Sequence, residues 1–295
     1  MKPGIYRNMS VADYDAIPAV RRTFVWNLYD QSPGHAVYKR DNRQPKKAWD
    51  DGTMVHTALL QPEEFPREYV VMPPFEADPG NLKADGKAPS PENARRTSYY
   101  KSKVKQFAKM CESTGAKVIE QRDYDMAYAI GQGIREHPIT SRFFQRGSSN
   151  EAVVVAEDPA TGLLLKARFD CLVEQGMPTG IDIKTTADAH PRAFQQSVRK
   201  FGYYFQAAWY LHLLDLVGLK NANFLFVAGE KTPPYPVVVY ECEESTLRLG
   251  ALHVSKALAT YQECEKSGVW PYYGLGIETI QLSDSDLKEL EKDHD

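Results

Sequence analysis

The sequence predicts an α/β layered protein in which a helical N-terminal half leads into a β-β-β-α-β-β-α core. Three observations carry this prediction. Ala152-Val153-Val154-Val155-Ala156 is a β-branched run, and Leu163 to Val173 follows it across the turn Asp158-Pro159-Ala160-Thr161-Gly162, which makes the pair a hairpin. Gly180 to Thr185 reads as a third strand. A long helix then runs from Arg192 to Val217, with Phe194, Phe201, Phe205, Ala208, Trp209 and Leu213 on related faces.

The remaining elements follow in order. Ser10 precedes a short helical run and has Asp13 three residues on, an arrangement close to a capping box. Ala48 to Leu60 carries a helical stripe of Trp49, Met54, Val55, Ala58 and Leu59, and Pro62 lies just beyond it. Residues 73–98 hold Pro73-Pro74, Asp78-Pro79-Gly80 and Ala88-Pro89-Ser90-Pro91, the composition of a mobile loop. Helices are expected over 99–113 and 121–136, the second stopped by Pro138. After the long helix come strands at Asn223 to Ala228 and Val237 to Tyr240, then a closing helix from Leu247 to Glu265. The chain reads as one domain over 1–295: a mainly helical part to 145, an α/β core over 146–275 and a charged tail from 276.

Composition narrows the class. Of 295 residues, 42% are hydrophobic and 25% charged, which suits an ordinary globular protein with a sizeable core. No apolar run approaches the ~18–20 residues of a membrane span, and the first residues lack the apolar stretch of a signal peptide. A cytoplasmic location is therefore expected. Cys111, Cys171, Cys242 and Cys264 form no CxxC pair, so they are read as reduced, mostly packed thiols. The net charge of −3 does not announce a nucleic-acid binder. Basic residues do cluster at Lys39-Arg40, Arg43, Lys46-Lys47, Arg95-Arg96, Lys101, Lys103, Lys105 and Arg199-Lys200. Any one of these clusters fits a solvated surface as well as a phosphate-binding face.

The sharpest local signal is Gly180-Ile181-Asp182-Ile183-Lys184-Thr185-Thr186. On a strand, alternate side chains share a face, so Asp182 and Lys184 point one way and Ile181 and Ile183 the other. A carboxylate beside an ammonium at a strand end suits phosphodiester hydrolysis: the first holds a divalent cation and the second orients water. Taken alone, the pair equally fits an ion pair on a half-buried strand. Asp170, at the end of the preceding strand, adds a second carboxylate that antiparallel pairing can bring beside Asp182. Two carboxylates that converge repel unless a cation lies between them. Gly52 and His56 lie four apart on the N-terminal helix, the glycine allowing close approach and the histidine a metal contact. A lone histidine equally fits a packed or surface role. Gln206 and Tyr210 are likewise four apart and can aim polar tips at the same site, or simply form an amphipathic seam. Glu151, at the start of the first strand, is either an added carboxylate for the site or a solvated strand end.

The ordered set Gly52/His56, Asp170, Asp182/Lys184 and Gln206/Tyr210 resembles the RecB-like branch of the PD-(D/E)XK nuclease superfamily. Each motif is weak by itself; the order and spacing of four carry the resemblance. Gly4-Ile5-Tyr6, the stretch from Gly52 to Phe65, Glu157-Asp158-Pro159 with Thr161-Gly162, and the run from Asp182 to Asp188 narrow it to the RecE-type (exodeoxyribonuclease VIII) nucleases. This resemblance spans about residues 4 to 272. One departure is Ala167, where the wider group often has glycine three residues before the first aspartate.

The resemblance implies a PD-(D/E)XK core, a mixed central sheet flanked by helices. It also implies processive 5′→3′ digestion of linear double-stranded DNA from its ends, with Mg²⁺ as cofactor and Mn²⁺ able to substitute. The implied metal ligands are His56, Asp170, Asp182 and the Ile183 main-chain carbonyl, with Glu151 as an additional candidate. Lys184 would assist the water, and Gln206 and Tyr210 would shape the site or contact DNA. A RecT-type single-strand annealing partner, a ring-like homo-oligomer such as a tetramer, and a phage or prophage origin follow from the same resemblance. No membrane association or iron–sulfur cluster is expected. Three other readings are an end-independent endonuclease or nickase with the same centre, a non-catalytic DNA-binding module, and a carbohydrate or phosphate-ester hydrolase. The last is disfavoured by Lys184 and by the lack of an aromatic sugar platform near it.

Overall fold

The computed structural model describes residues 1–42, 51–75, 93, 95–144, 148–274 and 276–280. The expected basic residues Arg43, Lys46 and Lys47, the helix start with Trp49, the turns at 78–80 and 88–91, and the tail from Asp284 lie outside the described residues.

The first half contains β1 (Gly4–Tyr6), α1 (Val11–Ala16), β2 (Val20–Arg21), α2 (Arg22–Asp30), α3 (Pro33–Asp41), α4 (Asp51–Leu60), α5 (Phe65–Glu68), β3 (Tyr69–Val71), α6 (Ser98–Thr114), β4 (Lys117–Ile119) and α7 (Gln121–Glu136). The second contains β5 (Ser148–Asn150), β6 (Val153–Glu157), β7 (Leu164–Arg168), β8 (Cys171–Val173), β9 (Thr179–Thr186), α8 (Pro191–Lys200), α9 (Tyr203–Leu216), β10 (Asn223–Glu230), β11 (Val237–Glu241) and α10 (Glu244–Ser267). Helix ends follow local chemistry. Ser10 caps α1 by accepting from the Asp13 N–H, Thr97 caps α6 by accepting from Tyr100, and Gly115 closes α6 in the left-handed conformation.

A five-stranded mixed sheet, ordered β11-β10-β9-β8-β5, forms the centre of the molecule. β9 and β10 run parallel, joined through α8 and α9, while β8 and β11 pair antiparallel on either side. A second sheet, β1-β6-β7-β2, lies beside it, and β3 pairs with β4. The alternation along β9 separates two cores. Ile181 and Ile183 pack with Met54, Val55 and Ala58 of α4 and Ile130 of α7. On the other side, Phe224, Phe226 and Ala228 of β10 pack with Phe205 and Trp209 of α9. Each fully buried Ile or Val contributes about 1.5–3 kcal/mol to holding the helices on the sheet.

Two expected elements are interrupted, and both breaks bear on the site. The strand expected from Leu163 to Val173 stops at Phe169-Asp170; β7 belongs to the second sheet and β8 to the central one. The hairpin is a bent ribbon. Glu151 sits at φ 54°, in the left-handed region, and its N–H donates to the Asp170 carbonyl at 3.0 Å, opposite the break. The Phe169 ring lies where a Cβ on Gly180 would meet it at 2.7 Å, so glycine at 180 lets the bend close onto β9. The helix expected from Arg192 to Val217 breaks at Phe201-Gly202, with Gly202 at φ 64°. The short strands β2, β3 and β4 have no clear alternation of their own. They form because partner strands take up their backbone groups.

The four cysteines are free thiols; Cys111, Cys171 and Cys264 are buried. No described helix is long and apolar enough to cross a membrane.

Candidate active site

The site forms where β9 passes the β7–β8 bend. Asp182 and Lys184 share the face of β9 turned towards α9, as strand alternation requires. Asp182 is only 6% exposed, so its carboxylate needs partners. Oδ1 accepts from Gln206 Nε2. Lys184 Nζ lies against Oδ2 as a counter-charge in a direction that makes no hydrogen bond, which leaves Oδ2 buried without a hydrogen-bond partner among the described residues. Lys184 Nζ also donates to Gln206 Oε1 at 3.1 Å and sits 4.7 Å from the centre of the Tyr203 ring, a cation–π contact. Gln206 thus holds both charged groups of the D-x-K motif with one amide.

Asp170 reaches the site from the bend. β8 and β9 pair with Cys171 opposite Ile181, so the residue before Cys171 meets the residue after Ile181. Asp170 Oδ2 accepts the main-chain N–H of Ile183 at 2.6 Å. His56, on α4, approaches from the other layer. Its Nε2 is 3.5 Å from Asp170 Oδ2 and 3.5 Å from the Ile183 carbonyl oxygen. Burial pushes the Asp170 carboxyl up to about 6. The negative charge of Asp182 adds to that rise, while His56, the Ile183 N–H and Lys184 oppose it. Gly52 lies in the first turn of α4, one turn before His56.

Two further candidates act at the bend beside the site. The Tyr210 hydroxyl donates to the Arg168 carbonyl at 2.9 Å, and its ring packs edge-on against Phe169 at 4.5 Å. It braces the bend that carries Asp170; burial raises its pKa, and the charges of Asp182 and Asp170 add to that rise, so the hydroxyl lies within the field of the site. One helical turn separates Tyr210 from Gln206 along α9, and each reaches a different strand. Glu151 is paired with Arg168 (2.6 Å from Nη2 to Oε1), so its carboxylate is already engaged beside the bend.

Sequence reading missed Arg22, at the start of α2. Its Nη2 donates to the carbonyls of Phe201 at 2.8 Å and Gly202 at 2.7 Å, closing the α8–α9 break, while Trp26 of α2 wedges against Gly202. Burial lowers its pKa, and the charge of Asp182 opposes that change. Lys166 was missed too: its ammonium is buried and donates to the Tyr14 and Ile17 carbonyls, pinning α1 to β7. An arginine or lysine that binds distant carbonyls leaves no local pattern.

The donor set fits a hard divalent cation. Among the described residues no three His, Cys, Asp or Glu side chains converge as a ready-made cage. What is present is a buried Asp182 oxygen without a hydrogen bond, the Asp170 carboxyl with its raised pKa, the Ile183 carbonyl and His56 Nε2. Oxygen-rich sets of this kind suit Mg²⁺ or Mn²⁺.

Comparison with known proteins agrees with this architecture. A solved structure from Eubacterium rectale, described as a "Putative exonuclease", shares the fold with a TM-score of 0.54 at 12% identity, over 96% of this chain and 98% of its own. A second, that of SSO0001, aligns over 54% of this chain and 69% of its own at 14% identity, with a TM-score of 0.28. No curated protein sequence matches this one. The family described as "PDDEXK-like domain of unknown function (DUF3799)" matches residues 27–283, which takes in the α4 histidine, the bend aspartate, the D-x-K strand and the α9 glutamine, and the chain belongs to that family.

Proposed function

We propose that this protein is a metal-dependent deoxyribonuclease that degrades linear double-stranded DNA from its 5′ ends. The observation that carries the reading is the junction of Asp170 with the β9 motif: one aspartate bound to the Ile183 N–H, and a second held beside Lys184 by Gln206. A binding module has no need for two carboxylates at one buried point, since each costs free energy to desolvate.

Asp170, Asp182, the Ile183 carbonyl and His56 would hold the ion, Mg²⁺ with Mn²⁺ as a substitute. When bound, it would supply Lewis-acid polarisation of a phosphate and a more acidic water. The chain's own groups do the rest. Gln206 keeps the Asp182 carboxylate and the Lys184 ammonium in fixed relation. The ammonium, buttressed by the Tyr203 ring, is placed to orient a water or a phosphate oxygen beside Asp182. Tyr210 and Phe169 hold the bend and with it the Asp170 carboxylate.

The 5′→3′ polarity, end dependence, ring-like homo-oligomer such as a tetramer, RecT-type annealing partner and role in phage-type recombination rest on the motif resemblance to RecE-type nucleases. The same holds for a cytoplasmic, phage or prophage setting. The test is digestion of a linear duplex labelled at its 5′ or 3′ end, with and without Mg²⁺, beside a closed circle and the Lys184→Ala variant. Metal-dependent loss of the 5′ label, with the circle spared and the variant inactive, supports the reading. A cut circle replaces it with an endonuclease, and no cleavage with any metal replaces it with a DNA-binding module.

A further inference from the structure

We infer that a cleft along α6 is a binding site for single-stranded DNA, separate from the D-x-K centre. The chain between residues 93 and 111 carries Arg95, Arg96, Lys101, Lys103, Lys105 and Lys109 and no acidic residue, in a protein whose net charge is −3. Among the described residues, two other basic clusters have local work. Lys39 donates to Asn27, Arg40 pairs with Asp41 and stacks on Phe24, and Arg199-Lys200 sits in the last turn of α8, where the helix dipole favours cations. Among the described residues Lys101, Lys105 and Lys109 have no such partner, although all three are exposed.

The cleft has a volume of about 630 Å³ and runs between the segment after β3 and one face of α6. Phe75 forms one wall; Tyr99, Lys103, Gln106, Phe107 and Met110 form the other. Those α6 positions recur at helical spacing and share a face. Phe75 lies 6.0 Å from Phe107 and 5.7 Å from Tyr100, and Lys103 Nζ is 5.6 Å from the Tyr99 ring centre. Met110 is 57% exposed at one end. Lys101, Lys105 and Lys109 run along the far side of the helix. A helix is only about 10–12 Å across, comparable to the ~8–10 Å screening length at ordinary ionic strength, so their field reaches the cleft.

Aromatic rings edged by ammonium groups suit one ligand in particular. Unpaired bases stack on the rings while their phosphates meet the positive field. A duplex hides its base faces and would use the charge but not the rings. The inference rests on the nuclease reading only in that such an enzyme meets single strands; the binding itself does not depend on cleavage.

The test is fluorescence anisotropy with a labelled oligothymidylate of ~20 nucleotides and a blunt duplex of equal length, in EDTA so that neither is cut. Tyr99→Ala should weaken oligothymidylate binding about tenfold and duplex binding much less, the loss expected of one stacking platform. Lys103→Gln should weaken it several-fold and flatten its salt dependence. Gln106→Lys should tighten it, and decides the matter should Tyr99→Ala prove poorly folded in a thermal melt. Equal losses for both DNAs would overturn the single-strand assignment in favour of a duplex contact, and unchanged binding in all three variants would remove the site. Wild-type protein that binds oligothymidylate through this cleft but cleaves nothing in Mg²⁺ would sink the nuclease reading and leave this one standing.

Discussion

The carboxylate of Asp170 accepts the main-chain N–H of Ile183 at 2.6 Å, which ties the bend of one ribbon to the strand that carries Asp182 and Lys184. The bond has two functions that substitution separates. Asp170→Ala leaves a buried N–H without an acceptor, and should cost about 1–3 kcal/mol. Asp170→Asn keeps an oxygen there and removes a poorly solvated carboxylate, so the metal-free protein should melt at or above the wild-type temperature at pH 8. Both should lose Mn²⁺ binding in calorimetry. Equal destabilisation by the two variants would mean the hydrogen bond does not hold the bend.

Lys184, Gln206 and Asp182 form a chain of contacts whose members should fail differently. Lys184→Ala is expected to abolish cleavage and leave Mn²⁺ and DNA binding nearly intact, since it removes a counter-ion and not a ligand. Asp182→Asn should weaken Mn²⁺ binding. Gln206→Ala should lower kcat about tenfold or more with little change in KM, the pattern of lost positioning. Near wild-type cleavage by the Lys184 variant would remove the lysine from its assigned role.

Burial raises the Asp170 pKa from the ordinary carboxylate value to about 6. The folded-state value exceeds the unfolded one, so the stability this group contributes is complete below the unfolded pKa and is lost as pH rises through about 6. Metal-free wild type should therefore lose stability relative to Asp170→Asn between about pH 4 and 6.5, the span set by the ordinary value of 3.8 and the raised one of about 6. A divalent cation binds the ionised form, so Mn²⁺ affinity should climb through the same range, and binding below pH 6 should release a proton. Calorimetry in two buffers of different ionisation heat measures that proton; a proton count of zero at pH 5.5 would contradict the assignment.

Gly202 sits at φ 64°, and a Cβ there would lie 2.6 Å from the Trp26 ring. Gly202→Ala combines a strained backbone with overpacking and should cost about 3 kcal/mol, seen as a melting temperature lower by several degrees. Adding Trp26→Leu should recover part of the loss. If it recovers none, the backbone conformation alone sets the cost.

Much of this site was readable along the chain. The alternation Ile181-Asp182-Ile183-Lys184 placed two polar side chains on one face of β9, and the structure puts their apolar neighbours in the α4–α7 core. The α4 stripe of Met54, Val55, Ala58 and Leu59 is buried as its spacing required. Other features were not readable. A single strand from Leu163 to Val173 and a bent one share the same apolar pattern, and a glycine in a helical run marks a break only when something packs into it, as Trp26 does. Gln206 and Tyr210 are four apart, but the spacing does not say which strand each reaches: Gln206 holds the D-x-K motif, while Tyr210 holds the bend and feels the charges of Asp182 and Asp170.

The sequence by itself determined the layered α/β order, the faces of the principal strands and helices, and the motif residues that bear charge. These depend on torsions and side-chain directions that repeat every two or 3.6 residues between bonded neighbours. Only the tertiary structure decided that Asp170 meets Ile183, that Glu151 is engaged by Arg168, and that Arg22 closes a helix break at Phe201-Gly202. Such contacts join residues whose separation along the chain carries no periodic signal. They arise when long loops close and buried polar groups find the partners that the interior requires.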